Sequence, residues 1–531
     1  MAPSALPLQA AGIDLSGGLI LFAALVFAGY VGVLIYLGYD GYKETDSLRD
    51  FVLGGKSMKG WVVGLSFGAT YASANMFMGV PGMAYTHGTP ALWWSTIGFG
   101  MPFIALVLFA KRFWLMSKLG VGDMTLPEWI GKRYDSSYLR AGAGILTMFL
   151  VFYIVGQGVG AATLFGTLFG IPYTVGLAGA LALVAFYVTI GGMQTTILTD
   201  FFQSVLMMVF AVVTFGSLWL VFDGGVFSVV QGLAEQGKAT TFNSGTSNFI
   251  FDSPFGVMIM TWFLTAFILM PHLMNRVLAL DKKAELRRFQ FGAGISLFVM
   301  SVFMVWAGLA SRVLFPNLAN ADAAVPMYLM EALPPIVAVF IIVGILSAIL
   351  TTADSLLHAM ITVIQQDLYK DTYLRNIRGK DIEEGAVDTK YDKRATRIGQ
   401  VASVAIAAVA FVIGLDRPDS LFMLTQIGIA GFLSGTTIPV ILGYFWKNST
   451  KRGGEAGFTV GAVTYSILFF GLFGVGFSAQ NQFLAFTIAT VTSLISMVGV
   501  SLVTSGTVEE QQAIAFGRGS HNEVDPTPSD D

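Results

Sequence analysis

Thirteen predominantly apolar stretches, most close to the 20 or so residues that a helix needs to cross a bilayer, dominate this chain of 531 residues. They run over 17 to 39, 61 to 85, 90 to 113, 141 to 168, 172 to 190, 195 to 222, 254 to 279, 290 to 314, 335 to 366, 395 to 415, 419 to 446, 457 to 475 and 483 to 504. Lipid offers no partner to a backbone amide, so such a chain has to satisfy its own backbone as a bundle of spanning helices. Composition agrees, with 55% hydrophobic and only 12% charged residues, outside the range of soluble domains. The fold class is therefore all-α and polytopic, with about 13 transmembrane helices. Loops are short except at 223 to 253 and 367 to 394, which leaves no soluble domain between spans. The opening MAPSALPLQAAGIDLSGG lacks the positive n-region of a cleavable signal, so the first run is expected to stay as a helix.

Positive charge orients the bundle. With the N-terminus outside, the loops and helix ends assigned to the cytoplasm hold all but Lys238, Arg312 and Arg417 of the 30 Lys and Arg residues. This positive-inside asymmetry favours an odd number of spans in the plasma membrane, N-terminus out and C-terminus in. The tail 505 to 531 is polar and expected to be disordered on the cytoplasmic side. In TLPEWIGKRYD, Thr125 and Glu128 have capping-box spacing with Pro127 in the first turn, which predicts a short helix between spans 3 and 4.

Several functions are excluded. No cysteine is present, which removes disulfides, thiol catalysis and Cys-based zinc sites. The four histidines are not paired at helical metal spacing, and a net charge of −3 without a basic aromatic stripe argues against nucleic acid. No nucleophile, base and orienting group stand together at membrane depth, so the chain is not read as an enzyme.

Function must then lie with polar groups at membrane depth, which are costly unless partnered or facing a cavity. Span 2 holds Thr70, Tyr71, Ser73 and Asn75 between Gly68 and Gly79, a pattern better suited to an interrupted helix than to a packing face alone. In span 7, Pro271 removes a helix hydrogen bond beside His272. Alone this reads as a kink; its place five spans after span 2 is that of a corresponding member in two five-span repeats. Asp200 sits about two turns into span 6, after the double glycine 191 to 192, and needs a cation, a donor or a proton. In AILTTADSLLH, at 348 to 358, Ala348, Thr351 and Thr352 share a helix face, with Asp354 and Ser355 opening the next turn. Hydroxyls and a carbonyl are hard, uncharged oxygen ligands suited to an alkali cation. Threonine bonding to the i−4 carbonyl accounts for the threonines but not for Asp354.

Five segments, in order, carry a resemblance: ATYASANMFMGVPGMAY (69 to 85), TLPEWIGKRY (125 to 134), GGMQTTILTDFFQ (191 to 203), MPHLMNRVLA (270 to 279) and ILTTADSLLHAMITVIQQDLYK (349 to 370). With them the chain resembles the sodium/solute symporter family, in particular its proline, pantothenate and monocarboxylate branch. The resemblance implies a LeuT-type fold of two inverted five-helix repeats, with broken helices at 61 to 85 and 254 to 279. The domains would be 1 to 60 (extracellular N-terminus, first helix and cytoplasmic loop), 61 to 222 (first repeat), 223 to 253 (extracellular loop), 254 to 446 (second repeat), 447 to 504 (two further helices) and the tail 505 to 531. It further implies a Na+ site of the carbonyls of Ala69, Ala72 and Ala348 with the hydroxyls of Thr351 and Thr352. A second cation site maps onto Asp200, Thr351, Asp354 and Ser355, with a shared proton or a structural pairing as the alternative. By family position the solute pocket is lined by Tyr71, Asn75, Met76, Tyr153, Ala266, Phe267 and Gln426. Met76 and Phe267 would serve a hexose poorly, because its hydroxyls need partners. Arg276, at the end of span 7, reads as a gate or an anchor.

A monovalent cation gains about 2.3 kcal/mol per 100 mV, and a tenfold gradient adds about 1.4 kcal/mol. One Na+ can thus drive strong accumulation of a neutral or zwitterionic solute, whereas a monocarboxylate would cancel its charge and profit from a second cation. The expected function is Na+-coupled symport of a small organic solute, monocarboxylate, pantothenate or proline-like, into the cell. Proton-coupled symport through Asp200 and Asp354 is the alternative within the class. A channel or a transporter-like sensor is the alternative outside it, and a sensor would normally carry a signalling domain larger than the polar tail. Oligomeric state leaves no signal in the sequence.

Overall fold

A computed structural model describes residues 15–43, 59–118, 125–190, 193–243, 250–280, 282–380, 389–416, 420–474 and 481–504. The loop 44 to 58, the double glycine 191 to 192 and the tail 505 to 531, on all of which the sequence carries expectations, lie outside them.

Every apolar run coincides with a helix or a helix pair. Among the described residues eight helices are long and apolar enough to cross a membrane, and nine if the bent pair Pro254–Leu269 and Pro271–Leu278 is one span. The remaining runs lie on Gly17–Lys43, on the interrupted Gly60–Tyr71 and Val80–His87, on Tyr173–Ile190 and on Lys451–Phe470. These are shorter, mixed or broken, so the count of thirteen rests on them rather than on hydropathy and length alone. The helix Leu126–Tyr134 forms as its capping signal predicts: Thr125 Oγ1 accepts the Glu128 amide at 3.1 Å, and Asp135 closes the C-terminus in the left-handed region.

Two expectations about loops change. Residues 223 to 253 contain a helix of their own, Val226–Glu235. The ninth run does not end near 366; Pro335–Val363 continues as a widened helix, Ile364–Ile377. Ion pairs hold this extension where apolar burial stops: Arg140 binds Asp367 at 2.7 Å and Asp371 at 3.0 Å, and Thr125 donates to Asp367 at 2.7 Å.

The two broken helices sit at the centre. Gly60–Tyr71 packs on Glu285–Leu314 and Met193–Gly216, while Pro335–Val363 and Leu421–Phe445 pack on Leu150–Phe169. Small residues allow the closest approaches: a Cβ at Gly64 would run into the Phe289 carbonyl, and one at Gly308 into that of Pro81. Both clamp Glu285–Leu314 against the two halves of the first broken helix.

Candidate functional site

The first break follows from where three amides turn. In a continuous helix Ser73 N–H would bond Ala69 O and Met76 N–H would bond Ala72 O. Here Ser73 donates to Tyr71 O at 3.0 Å and Met76 to Ser73 O at 2.9 Å, with Ala72 at φ −79°, ψ 84°. The carbonyls of Ala69 and Ala72 lose those donors. Ala74 N–H, the third amide, is taken by Gln157 Oε1 at 2.9 Å from Leu150–Phe169. The second break is at Met270, extended at ψ 135°, where Pro271 brings no N–H and the axis bends by 47°.

The freed carbonyls meet the threonines. Thr352 Oγ1 lies 3.4 Å from Ala69 O, 3.4 Å from Ala72 O and 3.3 Å from Ala348 O. Thr351 Oγ1 is 3.0 Å from the same Ala348 carbonyl. All five residues of the expected Na+ site are thus brought together and buried. A hydroxyl has one proton, so it satisfies one of three converging carbonyls and leaves a nest of uncharged oxygens. An ion of Ca2+-like radius, about 2.4 Å from its ligands, sets neighbouring oxygens roughly 3.4 Å apart. That spacing matches. Among the described residues no three His, Asp or Glu side chains gather as a divalent metal site would require.

One turn further along the helix the chemistry changes. Arg276 Nη2 pairs with Asp200 Oδ2 at 2.5 Å and donates to Ser355 Oγ at 3.0 Å, while Arg276 Nε donates to Thr70 Oγ1 at 3.1 Å. Thr70 Oγ1 in turn lies 3.0 Å from Asp200 Oδ2. Arg276 is only 1% exposed and Asp200 fully buried. The four groups expected around a second cation are therefore divided: Asp200 and Ser355 hold a guanidinium, and Thr351 faces the backbone of its own helix. Asp354, also buried, makes interactions of its own.

Of the seven expected solute contacts, Tyr71, Asn75, Met76, Tyr153, Phe267 and Gln426 line one cavity between the breaks. Ala266 is buried beside it without lining it. The cavity measures about 20 Å³, room for one water, so an organic solute enters only when its walls move. Tyr71 is held by the Gly98 carbonyl at 2.7 Å and packs edge-on against Phe267 at 5.2 Å.

Reading the sequence placed Ser73 in the interrupted span but not in this wall, and missed Trp94 and Leu264 in it, Gln157 at the break, and the burial of Arg276. Gln157 had a usable signal, a carboxamide at membrane depth four residues from Tyr153 and so on the same helix face. Arg276 had only its distance from the helix end.

A helical membrane bundle with two interrupted helices meeting around uncharged oxygens and a small central cavity defines a secondary transporter. The sequence profile of the Sodium:solute symporter family matches residues 51–461, and the chain belongs to that family. It is 27% identical to a sodium/pantothenate symporter of Haemophilus influenzae over 85% of this chain and 90% of the relative. It is 29% identical to sodium/proline symporter 2 of Staphylococcus saprophyticus over 82% and 84%. The solved structure of a Na+-coupled sialic acid symporter, substrate-bound and outward-open, superposes with a TM-score of 0.74 at 20% identity, covering 91% of this chain and 98% of that one. The fold is thus the LeuT type, and the family is one of transporters rather than enzymes.

Proposed function

We propose that this protein moves a small organic solute into the cell together with Na+, by rocking of one helix bundle against the other around the two breaks. The observation that carries the reading is the position of Thr352 Oγ1, 3.3 to 3.4 Å from three carbonyls, two of them stripped of their helical donors. A neutral oxygen nest at the hinge between two helices binds a cation only while both helices are in place. Ion binding and helix position are thereby coupled.

The solute is proposed to be proline-like, pantothenate-like or another monocarboxylate, held between Tyr71, Tyr153, Phe267 and Gln426. The pantothenate and proline symporters among the relatives support this class. The wall combines the rings of Tyr71, Trp94, Tyr153 and Phe267 with the polar side chains of Ser73, Asn75 and Gln426, which suits a compact solute with an apolar body and a polar end. The repeats are proposed to span 61 to 222 and 254 to 446, and the orientation to be N-terminus out, on the distribution of Lys and Arg.

Proton coupling through Asp200 and Asp354 is the second reading, and the pairing of the Asp200 carboxylate with Arg276 weighs against Asp200 as the proton carrier. The test is uptake of labelled proline, pantothenate and pyruvate into proteoliposomes under separately imposed Na+ and H+ gradients. Accumulation of one of them under the Na+ gradient alone is the expected result. Accumulation that follows the H+ gradient and ignores Na+ would reject the reading.

A further inference from the structure

We infer that Tyr30, on the first helix Gly17–Lys43, is a positioning residue that sets how tightly the neutral oxygen nest holds its ion. This rests on the Na+ reading above and adds to it a residue outside the nest that tunes it. Gly17–Lys43 packs on Met193–Gly216 and on Pro335–Val363, the helix that carries Ala348, Thr351 and Thr352. Two hydrogen bonds give that contact a direction. Gln203 Nε2 donates to Tyr30 Oη at 2.9 Å, and Tyr30 Oη donates to the Ser347 carbonyl at 3.2 Å. Because its oxygen accepts from the carboxamide, the phenol keeps its single proton for Ser347.

The Ser347 carbonyl is the ordinary i−4 acceptor for the Thr351 hydroxyl. It has two lone pairs: helix geometry assigns one to the Thr351 amide, and Tyr30 takes the other. The Ser347 hydroxyl is committed to Val343 O at 2.9 Å and offers no substitute. The Thr351 hydroxyl lies 3.5 Å from the Ser347 carbonyl, at the edge of a bond, and 3.0 Å from that of Ala348. Ala348 O belongs to the nest. A carbonyl that accepts a hydroxyl proton offers a cation less of its lone-pair charge, so an arriving ion has to displace this bond. With Ser347 open, the proton would swing back to it and leave both Thr351 Oγ1 and Ala348 O turned to the ion. Tyr30 closes that alternative and weakens the nest, which suits an ion that must be released again.

Equilibrium binding of radioactive Na+ to the purified full-length protein, with no solute present, tests this. Tyr30→Phe keeps the ring and removes only the donor. Its dissociation constant for Na+ should fall about threefold to tenfold, the net worth of one hydrogen bond. Loosened packing of the first helix would not tighten binding. Thr351→Val should raise the constant, and adding Tyr30→Phe to it should produce no fall, since no hydroxyl remains to be redirected. Gln203→Leu, which lets the phenol turn away from Ser347, should lower the constant by less and serves if the phenylalanine variant does not fold. An unchanged or raised constant in a folded Tyr30→Phe protein, or an equal fall on the Thr351→Val background, overturns the role of Tyr30. A folded wild type that binds no Na+ removes instead the symport reading, and the tuning with it.

Discussion

Two oxygen clusters lie one helical turn apart on Pro335–Val363, and they are built on opposite rules. The cluster at Thr351 and Thr352 contains no charge: the Thr352 hydroxyl lies 3.3 to 3.4 Å from three carbonyls, and the Thr351 hydroxyl lies 3.0 Å from one of them, that of Ala348. The cluster at Ser355 is built on full charges, Asp200 paired with Arg276, with Thr70 and Ser355 hydrogen-bonded to the pair. An ion that must leave again is better held by dipoles, which bind it weakly enough for release and leave no bare charge behind. A cation that never leaves can be matched with a carboxylate, because the pair stays complete throughout the cycle. The two clusters share the same two helices, through Ala69 and Thr70 on one side and Thr352 and Ser355 on the other. Closing the neutral nest and holding the ion pair therefore fix the same helix contact.

The strongest way to break this comparison is to remove the lower acid. Asp200→Ala strands a buried guanidinium, and losing one partner of a buried pair costs about 3–5 kcal/mol. The expected outcome is a large fall in the thermal unfolding midpoint in detergent and loss of uptake. A variant as stable as the wild type would show that the pair is not what closes this contact.

Next in size is the upper cluster. Thr351→Ala with Thr352→Ala deletes both hydroxyls and leaves three carbonyls. The half-saturating Na+ concentration for uptake should rise about tenfold or more, at about 1.4 kcal/mol per tenfold. The unfolding midpoint should change far less than in Asp200→Ala, since both hydroxyls are replaced without stranding a charge. Unchanged Na+ dependence would remove the neutral nest as the ion site and with it the contrast.

The two clusters also differ in how legible they are. The upper one was written into local sequence: Ala348, Thr351 and Thr352 share a helix face by spacing alone, and the Gly-rich, Asn-bearing span 2 marked a break where the family match placed Ala69 and Ala72. The lower one was not, because Asp200 and Arg276 are 76 residues apart and no periodicity links positions on different helices. A positive charge near a helix end reads as an interfacial anchor, yet the bend at Met270 carries Arg276 inward. The same limit applies to Ile364–Ile377. An apolar scan stops where charges begin, and only the tertiary pairing of Asp367 and Asp371 with Arg140 shows why the helix goes on. Gln157 was passed over for a related reason. Its value lies in a single amide, that of Ala74, which becomes free only because the helix breaks there.

The smallest expected effect sharpens the comparison most. Thr352→Ser keeps the oxygen that lies among the three carbonyls and removes only a methyl group. The methyl is buried with the rest of the residue, so its loss costs about 0.8 kcal/mol of folding stability. It also frees the side-chain torsion that the branched carbon restricts, which loosens the aim of the hydroxyl slightly. Half-saturation by Na+ should therefore shift by no more than about threefold, well under 1 kcal/mol at about 1.4 kcal/mol per tenfold. At the lower cluster the corresponding conservative change is not mild, because lysine presents one ammonium where arginine spreads its donors over Asp200, Ser355 and Thr70. Measured side by side, Thr352→Ser should leave uptake near the wild type while Arg276→Lys reduces it. A tenfold rise in the Na+ requirement of the serine variant would mean that methyl packing rather than oxygen ligation shapes the upper cluster, and the two would no longer follow different rules.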